Sequence, residues 1–289
     1  FWVYLAGPYL LGFFAGAPSA DSFLGAPFWI GLAFFTLPAN LLVYGVNDVF
    51  DYETDRRNAK KSGDPAGYEK LLDPSEHGRL WTAVAVLCLP LLALLRPAAR
   101  GAEPAMAAFL FFSDFYSAPP IRAKARPVVD SLFNVLYACP GFFGYLLAGA
   151  AAGPLAPGVV AAAWLWCMAM HAFSAVPDIQ ADTDAGVPTV ATLLGRRRTL
   201  WACGALYVAS AALAAPSLSA TPVGPALCGL LALAYAAMIA LSLRDGDVSR
   251  VFQVYRWFPV LNAAAGFLLT MAVLAARWPA LRPGSLPVH

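Results

Sequence analysis

Nine apolar stretches dominate this sequence and leave it few ways to fold. They cover roughly residues 1–17, 28–47, 80–96, 104–118, 130–151, 158–177, 199–215, 223–243 and 254–276. A helix needs about 20 apolar residues to cross the hydrocarbon core of a bilayer. The pattern therefore predicts an all-α integral membrane protein, a bundle of nine transmembrane helices. Composition agrees: 60% of the 289 residues are hydrophobic and 12% are charged, against roughly 45–50% and 25% in soluble domains. A soluble globule, a disordered chain and a disulfide-knotted secreted domain are excluded. Pro8, Pro38, Pro90 and Pro140 fall inside the stretches, which neighbouring helices in a membrane tolerate. The first stretch has no basic run before it and reads as a helix rather than a signal peptide. The five cysteines sit apart in apolar surroundings and read as reduced packing residues. A net charge of +2 leaves no nucleic-acid footprint.

The connections between stretches alternate in character. Segments 18–27, 152–157 and 216–222 carry no Lys or Arg, whereas those near 48–79, 119–129, 178–198 and 244–256 carry fifteen of the nineteen. Basic loops mark the cytoplasmic side. The expectation is a multi-pass protein of the cell (plasma) membrane with a cytoplasmic N-terminus. The acids gather on the same face: of seventeen, only Asp21 and Glu103 fall in outer connections, and Asp114 falls within a span. Acidic residues contribute little to orientation, so another force must hold them there.

Two acidic clusters end two even-numbered spans. In the first, Asn47, Asp51 and Asp55 are spaced i, i+4, i+8, and Asp48 joins their face. On a helix these lie in one line, and carboxylates so close repel. In the second, Asp178 and Asp182 are again i, i+4, while Asp184 points elsewhere. Oxygen-only ligands in this arrangement suit Mg²⁺, which keeps several waters and is shared with substrate phosphates. Either cluster alone reads equally as a solvated helix end or a cap. Two matched clusters on one face point to a cytoplasmic cap holding the site. They also suggest one domain over 1–289 with two pseudo-repeat halves, about 1–129 and 130–276.

Bases lie near the acids. Between spans four and five runs Tyr116-Ser117-Ala118-Pro119-Pro120-Ile121-Arg122-Ala123-Lys124-Ala125-Arg126. The prolines predict an extended segment whose alternating bases project to one side. Arg56, Arg57, Lys60 and Lys61 follow the first cluster. Metal-binding acids plus bases for anionic oxygens fit a diphosphate. Arg196, Arg197 and Arg198 read as topology signals. His171, alone on span six, reads as a packed or hydrogen-bonded histidine. Asp114 is an intramembrane carboxylate, costly and usually functional. Asn40 and Tyr44 share the face of Asn47. Aromatics near the acids offer π faces to a cation.

These residues resemble the UbiA superfamily of intramembrane prenyltransferases. Its NDxxDxxxD motif corresponds to Asn47-Asp48, Asp51 and Asp55, and its DxxxDxxxG motif to Asp178, Asp182 and Gly186. Its Tyr-Ser segment with a following lysine corresponds to Tyr116-Ser117 and Lys124. Several stretches look like the lycopene elongase branch, among them Tyr44-Gly45-Val46-Asn47-Asp48-Val49-Phe50-Asp51 and Phe173-Ser174-Ala175-Val176-Pro177-Asp178-Ile179. The resemblance implies a Mg²⁺-dependent transfer of a dimethylallyl (C5) group from dimethylallyl diphosphate to a carotenoid such as lycopene. Asp51, Asp55, Asp178 and Asp182 would be catalytic and hold the metal, with Asp48 assisting. Asn47, Lys60, Tyr116, Arg122 and Lys124 would bind the diphosphate, Lys60 standing where the family usually carries arginine. The acceptor cation would lose a proton, with Asp114 the candidate base, or capture water. Other acceptors (a quinone precursor, a haem, a lipid headgroup) and an ion-coupled transporter remain open at this point.

Overall fold

Backbone placed in hydrocarbon must satisfy its own hydrogen bonds, and this chain meets that demand with helices; no strand occurs among the described residues. The computed structural model describes residues 3–56, 72–150, 153–220, 223–244 and 248–277, with the side chains of residues 54, 55, 248 and 249 left aside. The α-helices are α1 Val3–Gly16, α2 Ala26–Phe35, α3 Leu37–Asp55, α4 His77–Leu95, α5 Glu103–Ser117, α6 Val129–Phe133, α7 Cys139–Leu147, α8 Pro157–Ala175, α9 Ile179–Ala185, α10 Val190–Ala214, α11 Val223–Leu243, α12 Val248–Tyr255 and α13 Phe258–Arg277.

Among the described residues six helical segments, rather than the nine expected, are long and apolar enough to cross a membrane: Ala26–Glu53, Pro74–Leu95, Pro157–Ala175, Val190–Leu218, Val223–Leu243 and Arg250–Arg277. α1 is apolar but shorter. The fifth stretch is not one helix. Asn134–Tyr137 forms a 3-10 turn between α6 and α7, and Pro140 falls in the first turn of α7, where its missing N–H costs nothing. Hydropathy summed over a window does not register such a break.

Two buried clusters organise the packing. One gathers Leu5, Tyr9, Phe13, Phe34, Phe35 and Phe109 with Leu136, Cys139 and Phe143. The other gathers Phe173, Leu200, Cys203, Tyr207, Tyr235 and Phe258. All five cysteines are buried free thiols, as expected. A polar chain stitches the first helix to the last: Trp166 Nε1 donates to Tyr235 (3.1 Å), Tyr235 to Asn262 Oδ1 (2.8 Å) and Asn262 Nδ2 to Tyr4 (3.2 Å).

α1 meets α7 through glycine. A Cβ added at Gly12 would stand 1.9 Å from the Gly141 carbonyl oxygen, and one at Gly16 2.2 Å from that of Tyr145. Small residues spaced this way let membrane helices approach backbone to backbone. Gly12→Val should force the helices apart and cost at least about 2 kcal/mol, in the range of overpacked cores. The expected result is a thermal midpoint several degrees lower in detergent; an unchanged midpoint would show that α1 and α7 separate freely.

Candidate functional site

α3 carries the first acidic motif at its C-terminal end, beyond its apolar turns. Asp51 is 2% exposed, and its Oδ2 forms an ion pair with Lys124 Nζ. Asn47, one turn earlier, donates from Nδ2 to the Ser117 hydroxyl at 2.8 Å. That bond ties α3 to the end of α5 beside the Tyr-Ser segment. Asp48 is half-buried. Asp55 ends α3 with its side chain outside the described residues, and Lys60, with Arg57 and Lys61, lies outside them as well.

The second motif forms at the foot of α8. Asp178 stands at the N-cap of α9 but makes no side-chain capping bond, so the helix-cap reading of this acid does not hold. α9 ends at Gly186 with φ +68, a left-handed turn that glycine takes without steric cost; this is the structural reason for the glycine that closes the motif. Thr189 then starts α10 with a capping box, Thr192 answering it. The same Thr189 hydroxyl reaches Asp182 Oδ2 at 3.5 Å. Asp184 is exposed and accepts a bond from Gln180 at 2.9 Å, away from the site as expected.

A cavity of about 210 Å³ brings the two motifs together. Asn47, Asp51, Tyr116, Lys124, Asp178 and Asp182 all line it. Burial and then the neighbouring Asp178 carboxylate push the Asp182 carboxyl up to about 6, while Lys124 and the Thr189 hydroxyl pull it down. A carboxyl raised by its neighbour in this way gains when a cation arrives beside it. Among the described residues no group of three Asp, Glu, His or Cys side chains is placed to hold a metal ion. Mg²⁺ needs only one or two carboxylates together with waters and substrate phosphates.

A second space of about 270 Å³ is lined by Tyr4, Val43, Tyr44, Leu136, Tyr137 and Phe258 among others. Asn47, Tyr116, His171 and Ser174 border both spaces. A charged cavity thus abuts an aromatic one. Tyr44 and Tyr137 place their hydroxyls 3.4 Å apart, and Tyr4 stands edge-on to Tyr137 at 6.1 Å.

Several expectations meet a different geometry. The Pro-Pro segment is not an extended strand with its bases on one side. Arg122 is left-handed (φ 44) and Ala123–Ala125 is a 3-10 turn. The bases therefore diverge: Lys124 goes inward to Asp51, whereas Arg126 donates to the Pro120 carbonyl at 3.2 Å. Arg122 and Asp114 line neither space. Asn40 does not face the cavity either; its Nδ2 turns back to the carbonyls of Phe35 and Thr36 at the α2–α3 break. Arg196 does more than mark topology, since its Nη1 donates to the Ser242 carbonyl at the end of α11 (3.0 Å). Sequence reasoning left out Ser174, Thr189 and Asp130. Asp130, 0% exposed, looks in sequence like one more acid in a polar loop.

Carboxylates and a lysine around one cavity, in a bundle of membrane-length helices, describe a multi-span membrane enzyme. The profile of the UbiA prenyltransferase family matches residues 5–263. A lycopene elongase/hydratase of Haloferax volcanii is 40% identical over 276 residues, covering 95% of this chain and 85% of that protein. The apo structure of a UbiA homologue from Aeropyrum pernix superposes with TM-score 0.71 at 20% identity, covering 95% of this chain and 96% of that one. A UbiA homologue from Archaeoglobus fulgidus, bound to DMAPP and Mg²⁺, gives TM-score 0.64 at 22% identity over 95% and 96% of the two chains. The chain belongs to the UbiA prenyltransferase family. It is a prenyltransferase, which sets the ion-coupled transporter reading aside.

Proposed function

We propose that this enzyme transfers the dimethylallyl (C5) group of dimethylallyl diphosphate to a carotenoid, lycopene or a close relative, giving C45 and C50 carotenoids by loss of a proton or by capture of water. One observation carries the reading: a carboxylate-lined cavity that also holds Lys124 abuts an aromatic space along a border of four residues. The division suits a donor with a charged head and an acceptor without charge. The relatedness to a lycopene elongase/hydratase at 40% identity supports the choice of acceptor.

In this reading Asp51, Asp55, Asp178 and Asp182 hold the divalent metal, with Asp48 beside them. Mg²⁺ bound there supplies positive charge to the leaving diphosphate oxygens. Lys124 leaves its pairing with Asp51 to contact those oxygens, and Asn47 and Tyr116 orient the group where the two spaces meet. Arg122, two residues from Lys124, and Lys60 complete the surrounding positive charge. Stabilisation falls on charge that develops as the C–O bond breaks, where it accelerates the reaction. The rings of Tyr44, Tyr137 and Tyr4 face the allylic cation with electron-rich surfaces. The aromatic walls limit the water that reaches the cation.

The same reading places nine helices across the plasma membrane, with the N-terminus and the active site cytoplasmic and a cap built from the two motifs. The concentration of Lys and Arg near that face supports it. Halves of about 1–129 and 130–276 form one domain; the sequence of buried and exposed positions over 41–50 recurs over 171–180. Expression in a lycopene-accumulating bacterium tests the acceptor directly. Pigments heavier than lycopene by one and two C5 units are expected, with an added water mass where hydration occurs. Unchanged lycopene, with the protein in the membrane, would exclude this acceptor.

A further inference from the structure

We infer that His171, held against Asp130, is the base that takes the proton released when the acceptor cation is quenched. The inference rests on the prenyl-transfer reading above. In that transfer the donor's C–O bond breaks and its electron pair leaves on the diphosphate. The π pair of the acceptor's terminal alkene forms the new C–C bond, and a tertiary cation remains on the adjacent carbon. The cation ends in one of two ways. A neighbouring C–H bond gives its pair to a new double bond, or a water oxygen bonds to the cation and then sheds its extra proton. Each route releases one proton beside the junction of the two spaces, and each needs an acceptor for it there.

Few groups stand at that junction. Asp51 holds the metal in this reading and lines the charged cavity alone. Asp178 and Asp182 line the charged cavity alone, and Asp114 lines neither space. His171 borders both. Its Nε2 lies 3.5 Å from Asp130 Oδ2, and Tyr116 stands edge-on to its ring at 5.9 Å. Asp130 is 0% exposed, yet both of its oxygens are engaged. Oδ1 accepts from the Ser131 N–H and Oδ2 from the Val190 N–H, each at 2.7 Å. Two backbone donors hold the carboxylate in a fixed place beside the ring. At 3.5 Å from Nε2, which makes no hydrogen bond here, it stands close enough to steady an imidazolium formed next to it. The Val190 N–H comes from the first turn of α10, so the start of that helix positions Asp130 beside His171.

The test measures coupling: carotenoid product formed per diphosphate released, in membranes given dimethylallyl diphosphate and lycopene. In the wild type the two should match. With His171→Gln, diphosphate release should persist while coupling falls at least tenfold, because the unquenched acceptor cation reverts and water captures the allylic cation as a C5 alcohol. Asp130→Asn should move coupling in the same direction with an unchanged KM for the donor, which marks a positioning role. His171→Asn, read per mole of protein in the membrane, replaces His171→Gln if that variant is lost from the membrane. Coupling equal to wild type in the histidine variant would overturn the inference and leave the departing diphosphate as the base. A parallel fall in release and product would also overturn it, by making His171 structural. A wild-type enzyme that forms no C45 product would fail at the acceptor reading and take this inference with it.

Discussion

Asp178→Ala and Asp51→Ala are each expected to lower turnover by about a thousandfold, the scale on which a group stabilising transition-state charge is lost. Both carboxylates line the one cavity, but they come from helices far apart in the chain. Removing either leaves the metal with an incomplete set of protein oxygens, so the leaving diphosphate loses its main source of positive charge. Fold stability should separate the two. Asp178 is only half-buried, and its loss should lower the thermal midpoint less than the loss of Asp51. Asp51 is buried against Lys124, so Asp51→Ala strands a cation and should lower the midpoint as well. Diphosphate release from dimethylallyl diphosphate, measured across a Mg²⁺ titration, reads the effect. Near wild-type release in both variants at low Mg²⁺ would mean that the metal is bound elsewhere.

Lys124→Met should have the second largest effect, about a hundredfold in kcat/KM for the donor, the size expected when a charge-assisted contact to a transferring group is removed. The lysine faces two tasks: without donor it neutralises Asp51, and with donor it contacts the diphosphate. A double variant separates them. Lys124→Met alone leaves a buried carboxylate uncompensated and should reduce stability by roughly 3 kcal/mol. Adding Asp51→Asn should restore the thermal midpoint but not turnover. Recovery of turnover in the double variant would make the pair purely structural.

The acidic motifs were legible in sequence because their spacing has a geometric meaning: carboxylates at i, i+4 share a helix face whatever the rest of the chain does. Two matched clusters on one face pointed to a shared site; the turn of Lys124 toward Asp51, apart from Arg126, was not part of that reading. Other features depended on backbone detail that side-chain spacing does not carry. The left-handed Arg122 sends the three bases apart, where an extended segment would have kept them together. Asn40 turns to the carbonyls freed at the α2–α3 break, a break that apolar sequence conceals. His171 and Asp130 were opaque for a different reason. They are far apart in sequence and follow no common period, and only the packing of α8 against α6 makes them neighbours. Among the described residues three of the nine stretches fall short of membrane length: α1 and α5 are continuous helices of 14 and 15 residues, and the fifth is broken at Asn134–Tyr137.

The size of the aromatic space bears on how the product is built. It holds about 270 Å³, a short space beside an extended chain of forty carbons. With the proposed carotenoid as acceptor, one terminus would enter it and the remaining length would stay outside. The enzyme therefore inspects one tip of a long rod and is blind to what the opposite tip has undergone. A C45 product still presents an unmodified tip, but on the wrong end. To become C50 it must withdraw, turn end for end and return as a fresh substrate. Synthesis is then distributive: C45 accumulates before C50, and the ratio of the two depends on how much acceptor competes for the mouth of the enzyme.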